Sequence, residues 1–413
     1  MANVDVYVQS ENVGLLAKTA KADEFNEKHS FTYLASSDQA LSLLMPIRRE
    51  TYDYPGLHPI FQMNLPEGYL REYLERATAK VFGSDDLTVL TLLGSNQIGC
   101  LQYRLEGQEF DNEPHEAPEL LSILESCDDN LFDQLLKRFA LRSGVAGVQP
   151  KMLLDATDIQ DSASRLPADK STVNLNYYVV KAWGKEFPHL ACNEYVCLML
   201  CKHSGLDVPD FYISDNGKLF ISKRFDIDSQ GNALGFEDFC VLQAKSTKQK
   251  YDASLESCSN TIRQFVSPQH LSQALSDFFK LTVINVLIRN GDAHLKNSGI
   301  VYDDLKGYRQ GNLPTQNRKL APIFDVVSTV VYIKNDSMAL TLTGSKRWPK
   351  WKVLEQYAIT HCGLTKKTAN LILDDIYQGV NKTLPVLDEL KNSHAEFSEL
   401  ACELEILLNA KID

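Results

Sequence analysis

The feature that most constrains the fold is a long apolar run that ends in a polar turn. Residues 278–290, FFKLTVINVLIRN, are almost continuously apolar, and a helix of this composition must be buried. The run leads directly into NGDAHLKN, residues 290–297. We expect Gly291 to end the helix in a left-handed turn, which glycine adopts without strain. The sequence therefore predicts a polar loop that is anchored to the core and that presents the carboxylate of Asp292.

Three side chains around this loop have the chemistry of phosphoryl transfer. Asn297 stands five residues after Asp292, and Asp325 follows in the apolar context APIFDVVS. A kinase needs a carboxylate that orients and deprotonates the attacking hydroxyl, and an Asn and a second Asp that hold Mg²⁺ against the phosphates. The D-x-x-x-x-N spacing has the order of a protein-kinase catalytic loop, although HRD and the Phe-Gly after the metal Asp are absent. The alternative is that Asp292 and Asn297 only cap and turn the chain.

A lysine and a glutamate upstream fit the same chemistry. Lys181 ends the apolar segment YYVVK, and Glu194 follows on the predicted helix 189–205. A strand lysine that is held by a helix glutamate and points at phosphates is the kinase arrangement. The alternative is an exposed lysine at the end of a strand. The order of lysine, glutamate, catalytic-loop Asp and Asn, and metal Asp is more specific than any one of these residues.

A glycine-containing turn precedes these residues. SGVAGVQPK, residues 143–151, matches neither GxGxxG nor GxxxxGK[ST]. Gly144, Gly147 and Lys151 could still let backbone N–H groups meet phosphate oxygens. Taken alone, this turn is a weak signal for a phosphate-binding loop.

Hydrophobic periodicity divides the chain into three units. We expect an α+β unit at residues 1–107, a strand-rich unit at 108–236 and a helical unit at 237–413. Strands are predicted at 4–8, 31–34, 42–47, 97–105, 174–183, 211–214 and 218–226, with two more, SGIVY and LAPIFDV, in the segment 298–340. Helices are predicted at 66–82, 86–94, 118–126, 129–138 and 189–205, and an acidic linker at 106–119.

Composition argues against several classes of protein. The 413 residues carry 42 Lys and Arg against 54 Asp and Glu, a net charge of −12, so a broad surface for DNA phosphates is not expected. No run of 18 apolar residues occurs, and MANVDVYVQS lacks the regions of a signal peptide. Nine scattered cysteines without CxxC pairs are typical of free thiols in a reducing compartment. We therefore expect a cytoplasmic protein with no membrane span.

These motifs together resemble the HipA-type serine/threonine kinases, the toxins of bacterial toxin–antitoxin modules. The blocks that carry the resemblance are, in order, LSLLMPIRRETY, FQMNLPEGYLRE, AGVQPK, NEYVCLMLCKHSGLDVP, FISKRFD, EDFC, KYD, NGDAHLKN and APIFDVVS. They cover nearly the whole chain. The resemblance implies an α+β, bilobal, protein-kinase-like fold with an extra N-terminal α+β subdomain and a mainly helical C-terminal lobe.

The resemblance also implies a role for each motif residue. Asp292 would be the catalytic base, Asn297 and Asp325 would hold Mg²⁺, and Lys181 would contact the phosphates of ATP. The other residues that would line the nucleotide are Ala146, Gly147, Val148, Gln149, Pro150 and Lys151 in the phosphate loop, Lys223, Arg224 and Phe225 in the hinge beside adenine, His294, Leu295 and Lys296 in the catalytic loop, and Phe324.

The implied activity is the ATP-dependent phosphorylation of a Ser or Thr hydroxyl on a protein. The implied biology is growth arrest, with an aminoacyl-tRNA synthetase as a target class and a helix-turn-helix antitoxin as a partner. That partner would supply the contacts to DNA, which fits the acidic charge of this chain. Two alternatives stay open: a small-molecule kinase of the same fold, and a catalytically silent co-repressor that binds the antitoxin.

Two positions depart from the family pattern. Lys223 stands where the family often has Glu at the hinge, which would remove side-chain contacts to adenine but not backbone ones. Gly144 stands where several members carry a serine that is autophosphorylated, and the nearby serine is Ser143, shifted by one. Autophosphorylation of Ser143 is therefore a hypothesis.

Overall fold

The structure is a computed structural model of the chain. It describes residues 3–19, 28–68, 71–72, 74, 85–94, 97–108, 120–126, 128, 130–131, 134–135, 151–156, 176–182, 186–312 and 314–413. Most of the expected helices at 129–138 and 66–82, most of the linker at 106–119 and all of the phosphate-loop residues 143–150 lie outside these ranges.

The N-terminal part is built on a five-stranded antiparallel sheet with the order β4-β3-β2-β1-β5. Its strands are β1 (Val4–Val8), β2 (Glu11–Thr19), β3 (Lys28–Tyr33), β4 (Tyr52–Pro55) and β5 (Leu101–Leu105), and two helices accompany it, α1 (Pro59–Met63) and α2 (Asp86–Leu93). The alternation in VDVYV is confirmed, because every second residue of β1 is buried. Strand β2 escaped prediction because Val13 and Gly14 are buried in succession, which breaks the two-residue period. Gly14 is required there, since a Cβ would lie 2.4 Å from the Phe31 ring.

The expected strand at 42–47 is wrong. This segment forms only isolated bridges. Its polar groups bind side chains instead: the Leu43 N–H donates to Glu237 at 2.7 Å, and the Met45 carbonyl accepts from the Tyr33 hydroxyl. Leu43, Met45 and Ile47 are buried, but no described strand pairs with the backbone of this segment.

The middle part is a four-stranded antiparallel sheet backed by a helix. The strands are β6 (Lys151–Ala156), β7 (Asn176–Ala182), β8 (Phe211–Ile213) and β9 (Leu219–Lys223), in the order β6-β7-β9-β8, and the helices are α3 (Leu120–Leu124) and α4 (Leu190–His203). The predicted hairpin at 211–226 is confirmed. The helix predicted at 189–205 is also confirmed, and Gly205 follows it with a φ of 79°.

The C-terminal part is mainly helical, as predicted. Its helices are α5 (Phe239–Leu242), α6 (Leu255–Phe265), α7 (Pro268–Leu287), α8 (Trp351–His361), α9 (Lys366–Ser393) and α10 (Ser398–Leu408), and its short antiparallel sheet has the order β10 (Gly235–Asp238), β11 (Gly299–Tyr302), β12 (Arg318–Leu320). The predicted strand LAPIFDV is wrong beyond Leu320. Pro322 has no N–H to donate, and the Ile323 N–H donates to the Asp207 carbonyl instead of to a strand.

The described cysteines agree with the expectation of free thiols. The eight described cysteines are unpaired, and all but Cys402 are buried, including Cys197 and Cys201. No described helix combines the length and the apolar character needed to cross a bilayer.

Buried polar contacts attach the N-terminal sheet to the rest of the molecule. Arg224 pairs with Asp226 (Nη2–Oδ2, 2.6 Å), and both side chains are buried. Arg224 Nη2 also donates to the Gln97 carbonyl at 2.5 Å, and Asp226 Oδ2 accepts from the Gly99 N–H at 2.6 Å. A buried ion pair of this kind fixes the orientation of the segments that it joins more than it adds net stability, because the cost of desolvation offsets much of the electrostatic attraction.

Glu237 makes a second attachment. Its buried carboxylate accepts from Ser42 Oγ and the Leu43 N–H, both at 2.7 Å, and from Tyr302 Oη at 2.6 Å. Burial raises the pKa of Glu237 from its ordinary value of 4.5 to about 7, because three hydrogen bonds offset only part of the lost hydration. The N-terminal unit is therefore docked on a carboxyl group that titrates near neutrality.

This leads to a prediction for Glu237→Gln. The folded state binds the Glu237 proton more tightly than the unfolded state, so this group costs wild-type stability as the pH rises from about 4.5 to about 7. Gln keeps the shape and does not titrate. The free energy of unfolding of the variant, minus that of the wild type, should increase from pH 5 to pH 8 by up to about 3 kcal/mol. Urea denaturation at several pH values measures this difference, with exposed Glu50→Gln as the control. Parallel pH curves for Glu237→Gln and wild type would contradict the prediction.

Candidate active site

Lys181 lies at the centre of a buried ion cluster. It stands near the end of β7, and its Nζ contacts Glu194 Oε1 of α4 at 2.5 Å and Asp325 Oδ1 at 2.6 Å. Glu194 is fully buried, and the Lys181 side chain is 7% exposed. Burial disfavours the ammonium, but the two carboxylates outweigh it and raise the pKa of Lys181. The predicted contact between Lys181 and Glu194 is thus present, and Asp325 contacts the same ammonium group.

The loop that carries Asp292 is held differently from the prediction. Helix α7 ends at Leu287, and Arg289, with a φ of 55°, takes the left-handed conformation expected of Gly291. Gly291 is needed for another reason: a Cβ there would lie 2.0 Å from Asp336 Oδ2. A close approach of the loop to Asp336, and not helix termination, therefore requires the glycine.

Asn297 connects the two aspartates. It ends the 3-10 turn Leu295–Asn297, and its Nδ2 donates to the Asp292 carbonyl at 3.0 Å and to the Asp325 carbonyl at 3.4 Å. Its amide hydrogens are used in this way, so Oδ1 is the atom that it can offer to a cation. Asp325 has a φ of 58°, a conformation that non-glycine residues seldom adopt and that often marks functional positions.

An aromatic wall stands beside the motif. Phe225 and Phe324 stack with ring centroids 5.2 Å apart, and Phe236 packs edge-on against both. The two phenylalanines predicted to flank the nucleotide are thus in contact, and periodicity gave no indication of Phe236. Flat apolar faces of this kind suit a purine ring.

The Arg224 side chain and the Lys223 N–H of the predicted hinge are both engaged within the protein. Arg224 is held by Asp226, as described above, and the Lys223 N–H donates to the Asp210 carbonyl at 2.8 Å. The hydrogen bonds to adenine that were expected of this segment would therefore have to come from its other backbone groups.

His294 is a neutral residue of the loop. Burial lowers its pKa to about 4. Its Nδ1 accepts from the Lys296 N–H at 3.3 Å, and its Nε2 lies 3.9 Å from Asp292 Oδ1. At neutral pH the imidazole carries no charge, so it does not form an ion pair with Asp292.

Sequence reasoning missed the part that the N-terminal unit plays here. Glu67 lies shortly after the end of α1. Its Oε1 pairs with Lys296, and its Oε2 lies 3.4 Å from Lys250 Nζ. The paired lysines outweigh burial and lower the pKa of Glu67. The sequence feature that could have indicated this contact is the PEG segment, residues 66–68, but hydrophobic periodicity assigned it only to the start of a helix. Tyr251, next to Lys250, also reaches the loop, with its hydroxyl 2.6 Å from Asp292 Oδ1.

These residues line one cleft with a volume of about 690 Å³. Lys181, Asp292, Asn297 and Asp325 all face it, as do the three phenylalanines. Leu295, in contrast, is fully buried beneath the loop and does not line the cleft. The predicted residues 146–150 and Ser143 lie outside the described residues, and for Lys151 only the backbone is described, paired with Lys181 across β6 and β7.

Comparisons with known proteins identify related sequences and a related fold. Residues 4–104 match the HipA N-terminal domain, and residues 143–384 match the HipA-like C-terminal domain. The putative kinase Y4dM of Sinorhizobium fredii is 25% identical over 385 residues, 89% of this chain and 85% of its own, and the putative kinase Y4mE of the same organism is 28% identical over 314 residues, 71% and 69%.

A solved structure confirms the fold. HipA of Shewanella oneidensis MR-1, determined with HipB and its operator DNA, superposes with a TM-score of 0.68 at 17% identity, covering 98% of this chain and 95% of its own. The α+β, bilobal, kinase-like fold expected from the resemblance is therefore confirmed.

The ion cluster yields a prediction on stability. Lys181→Met removes the ammonium that contacts the buried Glu194 carboxylate, so the free energy of unfolding should fall by roughly 3–5 kcal/mol. The double variant Lys181→Met/Glu194→Gln should recover most of that loss, since no buried charge remains at position 194. Denaturant unfolding measures both, with Lys319→Met, on the exposed face of β12, as the matched control. Equal losses in the single and double variants would show that the cost is one of packing and not of charge.

Proposed function

Because this chain belongs to the HipA family, as its N- and C-terminal domain matches show, we propose that it is an ATP- and Mg²⁺-dependent serine/threonine protein kinase. In the biology implied by the family, it acts as the growth-arresting toxin of a toxin–antitoxin pair. The observation that carries the proposal is the junction of Lys181, Glu194 and Asp325, with Asn297 joining the Asp325 and Asp292 backbones.

The described residues fit a nucleotide and a magnesium ion. Mg²⁺ prefers oxygen ligands and is usually held by one or two protein side chains together with substrate phosphates. Asp325 and Asn297 Oδ1 supply such oxygens, and Lys181 stands 2.6 Å from the same Asp325 carboxylate. When bound, the ion would offset the phosphate charge. The stacked Phe225 and Phe324 would take the purine.

Asp292 is the residue that we assign to the acceptor. Its side chain is about half exposed in the cleft, so a hydroxyl can reach it, while its backbone carbonyl is fixed by Asn297. A carboxylate in this place orients the hydroxyl of a Ser or Thr and accepts its proton as the oxygen attacks. His294, neutral and packed beside it, does not compete as a cation.

The proposed partners follow the family. The Shewanella HipA was solved with HipB and operator DNA. By analogy we propose a helix-turn-helix antitoxin as the partner of this chain, through which it meets DNA only indirectly. The net charge of −12 fits that division, since the acidic chain would leave phosphate contacts to the partner. An aminoacyl-tRNA synthetase is the substrate class that the resemblance implies.

The direct test is transfer of labelled phosphate from ATP to proteins of a bacterial lysate. Wild type should label a protein band on Ser or Thr. Asp292→Asn should lower the rate by about 10² to 10⁴, the usual contribution of a general base, while ATP binding stays within about twofold. Exposed Asp303→Asn is the matched control and should keep wild-type activity. Label that appears only in the small-molecule fraction, or undiminished transfer by Asp292→Asn, would refute the proposal.

A second prediction concerns the metal. In wild type, nucleotide affinity measured by calorimetry should drop when Mg²⁺ is removed with a chelator, because the phosphates then lose their counter-ion. In Asp325→Asn the affinity should be weak in both conditions, because one anionic ligand is gone. Asp304→Asn, on the loop after β11, should keep the wild-type difference. A full Mg²⁺ response in Asp325→Asn would contradict the assignment of Asp325 as a ligand.

A further inference from the structure

Tyr251 donates its hydroxyl to the carboxylate assigned as the catalytic base. Tyr251 Oη lies 2.6 Å from Asp292 Oδ1, and the tyrosine ring packs edge-on against His294 with centroids 5.1 Å apart. A carboxylate has two oxygens, and this hydrogen bond occupies one of them. Among the described residues, Asp292 Oδ2 has no hydrogen-bond partner.

Two backbone carbonyls hold the segment that carries Tyr251: one bonds to the catalytic loop and the other to Lys346. The Lys250 carbonyl accepts from the Leu295 N–H at 3.1 Å, and the Tyr251 carbonyl accepts from Lys346 Nζ at 3.4 Å. Lys250 is also held by Glu67. Although 37% of Tyr251 is exposed, the hydrogen bond from the Leu295 N–H to the Lys250 carbonyl ties its segment to the loop that carries Asp292.

The hydroxyl is suited to donating a proton in a hydrogen bond without losing it. Partial burial and the neighbouring Asp292 raise the pKa of Tyr251, so the phenol stays protonated over the physiological range. An O–H donor to an ionised acceptor makes one of the stronger hydrogen bonds found in proteins. Side chains that must act within a narrow geometry are commonly held by such second contacts.

We propose that Tyr251 is a positioning residue for phosphoryl transfer, holding Asp292 Oδ1 so that Oδ2 is the oxygen that receives the acceptor hydroxyl. This inference rests on the proposed function. Tyr251 touches neither the nucleotide nor the acceptor in this role. It acts through the Asp292 carboxylate, whose rotation it restricts.

The test compares Tyr251→Phe with wild type in the labelled-ATP assay. Loss of one hydrogen bond to a charged group should lower kcat by about tenfold to a hundredfold. The KM for ATP and the affinity for ADP should stay within about twofold, because the ring and the cleft are unchanged. Tyr377→Phe, which removes a hydroxyl that accepts from the Ile412 N–H at 3.0 Å on the remote helix α9, is the matched control and should retain wild-type kcat.

A double variant separates positioning from a general structural role. In an Asp292→Asn background, Tyr251→Phe should lower transfer no further, because the carboxylate through which it acts is gone. A further tenfold loss there, a change in ATP affinity, a kcat equal to or above wild type for Tyr251→Phe, or phosphate found on Tyr251 itself would overturn the inference. Failure of the proposed function is distinguishable, since Asp292→Asn alone would then leave transfer undiminished.

Discussion

The buried ammonium of Lys181 is the interaction on which the rest of the site depends. Removing an ammonium from water is costly unless opposite charges meet it at close range. Glu194 and Asp325 supply those charges at 2.5 and 2.6 Å, and they come from a helix and from a loop well over a hundred residues further on. The strand, the helix and the loop must therefore be placed together for any of the three charges to be tolerated. The same requirement brings Asn297 and Asp292 to the cleft.

Polar contacts of the same kind orient the N-terminal unit. The Glu237 carboxylate accepts hydrogen bonds from Ser42 and Leu43, and Asp226 accepts one from Gly99. Glu67 pairs with Lys296 of the catalytic loop and with Lys250. Apolar packing alone would tolerate sliding of one unit on another, whereas a buried carboxylate with fixed donors allows one position. The N-terminal sheet is thereby part of the active-site architecture and not an appended domain.

Local patterns in the sequence predicted what local physics decides. The alternation in β1, the helix α4 and its terminal Gly205, and the spacing of Asp292 and Asn297 were all readable, because each depends on neighbours in the chain. The pairing of Lys181 with Glu194 was predicted from the kinase arrangement, because local sequence patterns do not show which side chains come into contact.

The errors have one physical cause, which is competition from distant partners. Residues 42–47 are apolar and β-prone, but Glu237, from far along the chain, takes their backbone donor. Residues after Leu320 read as a strand, but Ile323 bonds to Asp207 and Asp325 turns left-handed. Gly291 was correctly singled out for the wrong reason, since the close approach of Asp336 is invisible in the sequence. Tertiary contacts override local preference in each case.

The pairing of charges in the cleft also bears on how a nucleotide would be held. Lys181 is engaged by Glu194 and Asp325, and Lys250 and Lys296 share Glu67. Lysines that are already paired offer little net positive charge to a triphosphate, and the chain as a whole is acidic. If ATP binds as proposed, most of its charge must be met by the metal ion and by backbone N–H groups, while the paired lysines contribute fixed geometry at little reorganisation cost. On this view the carboxylates hold the lysine ammonium groups at fixed positions beside the phosphoryl group that is transferred.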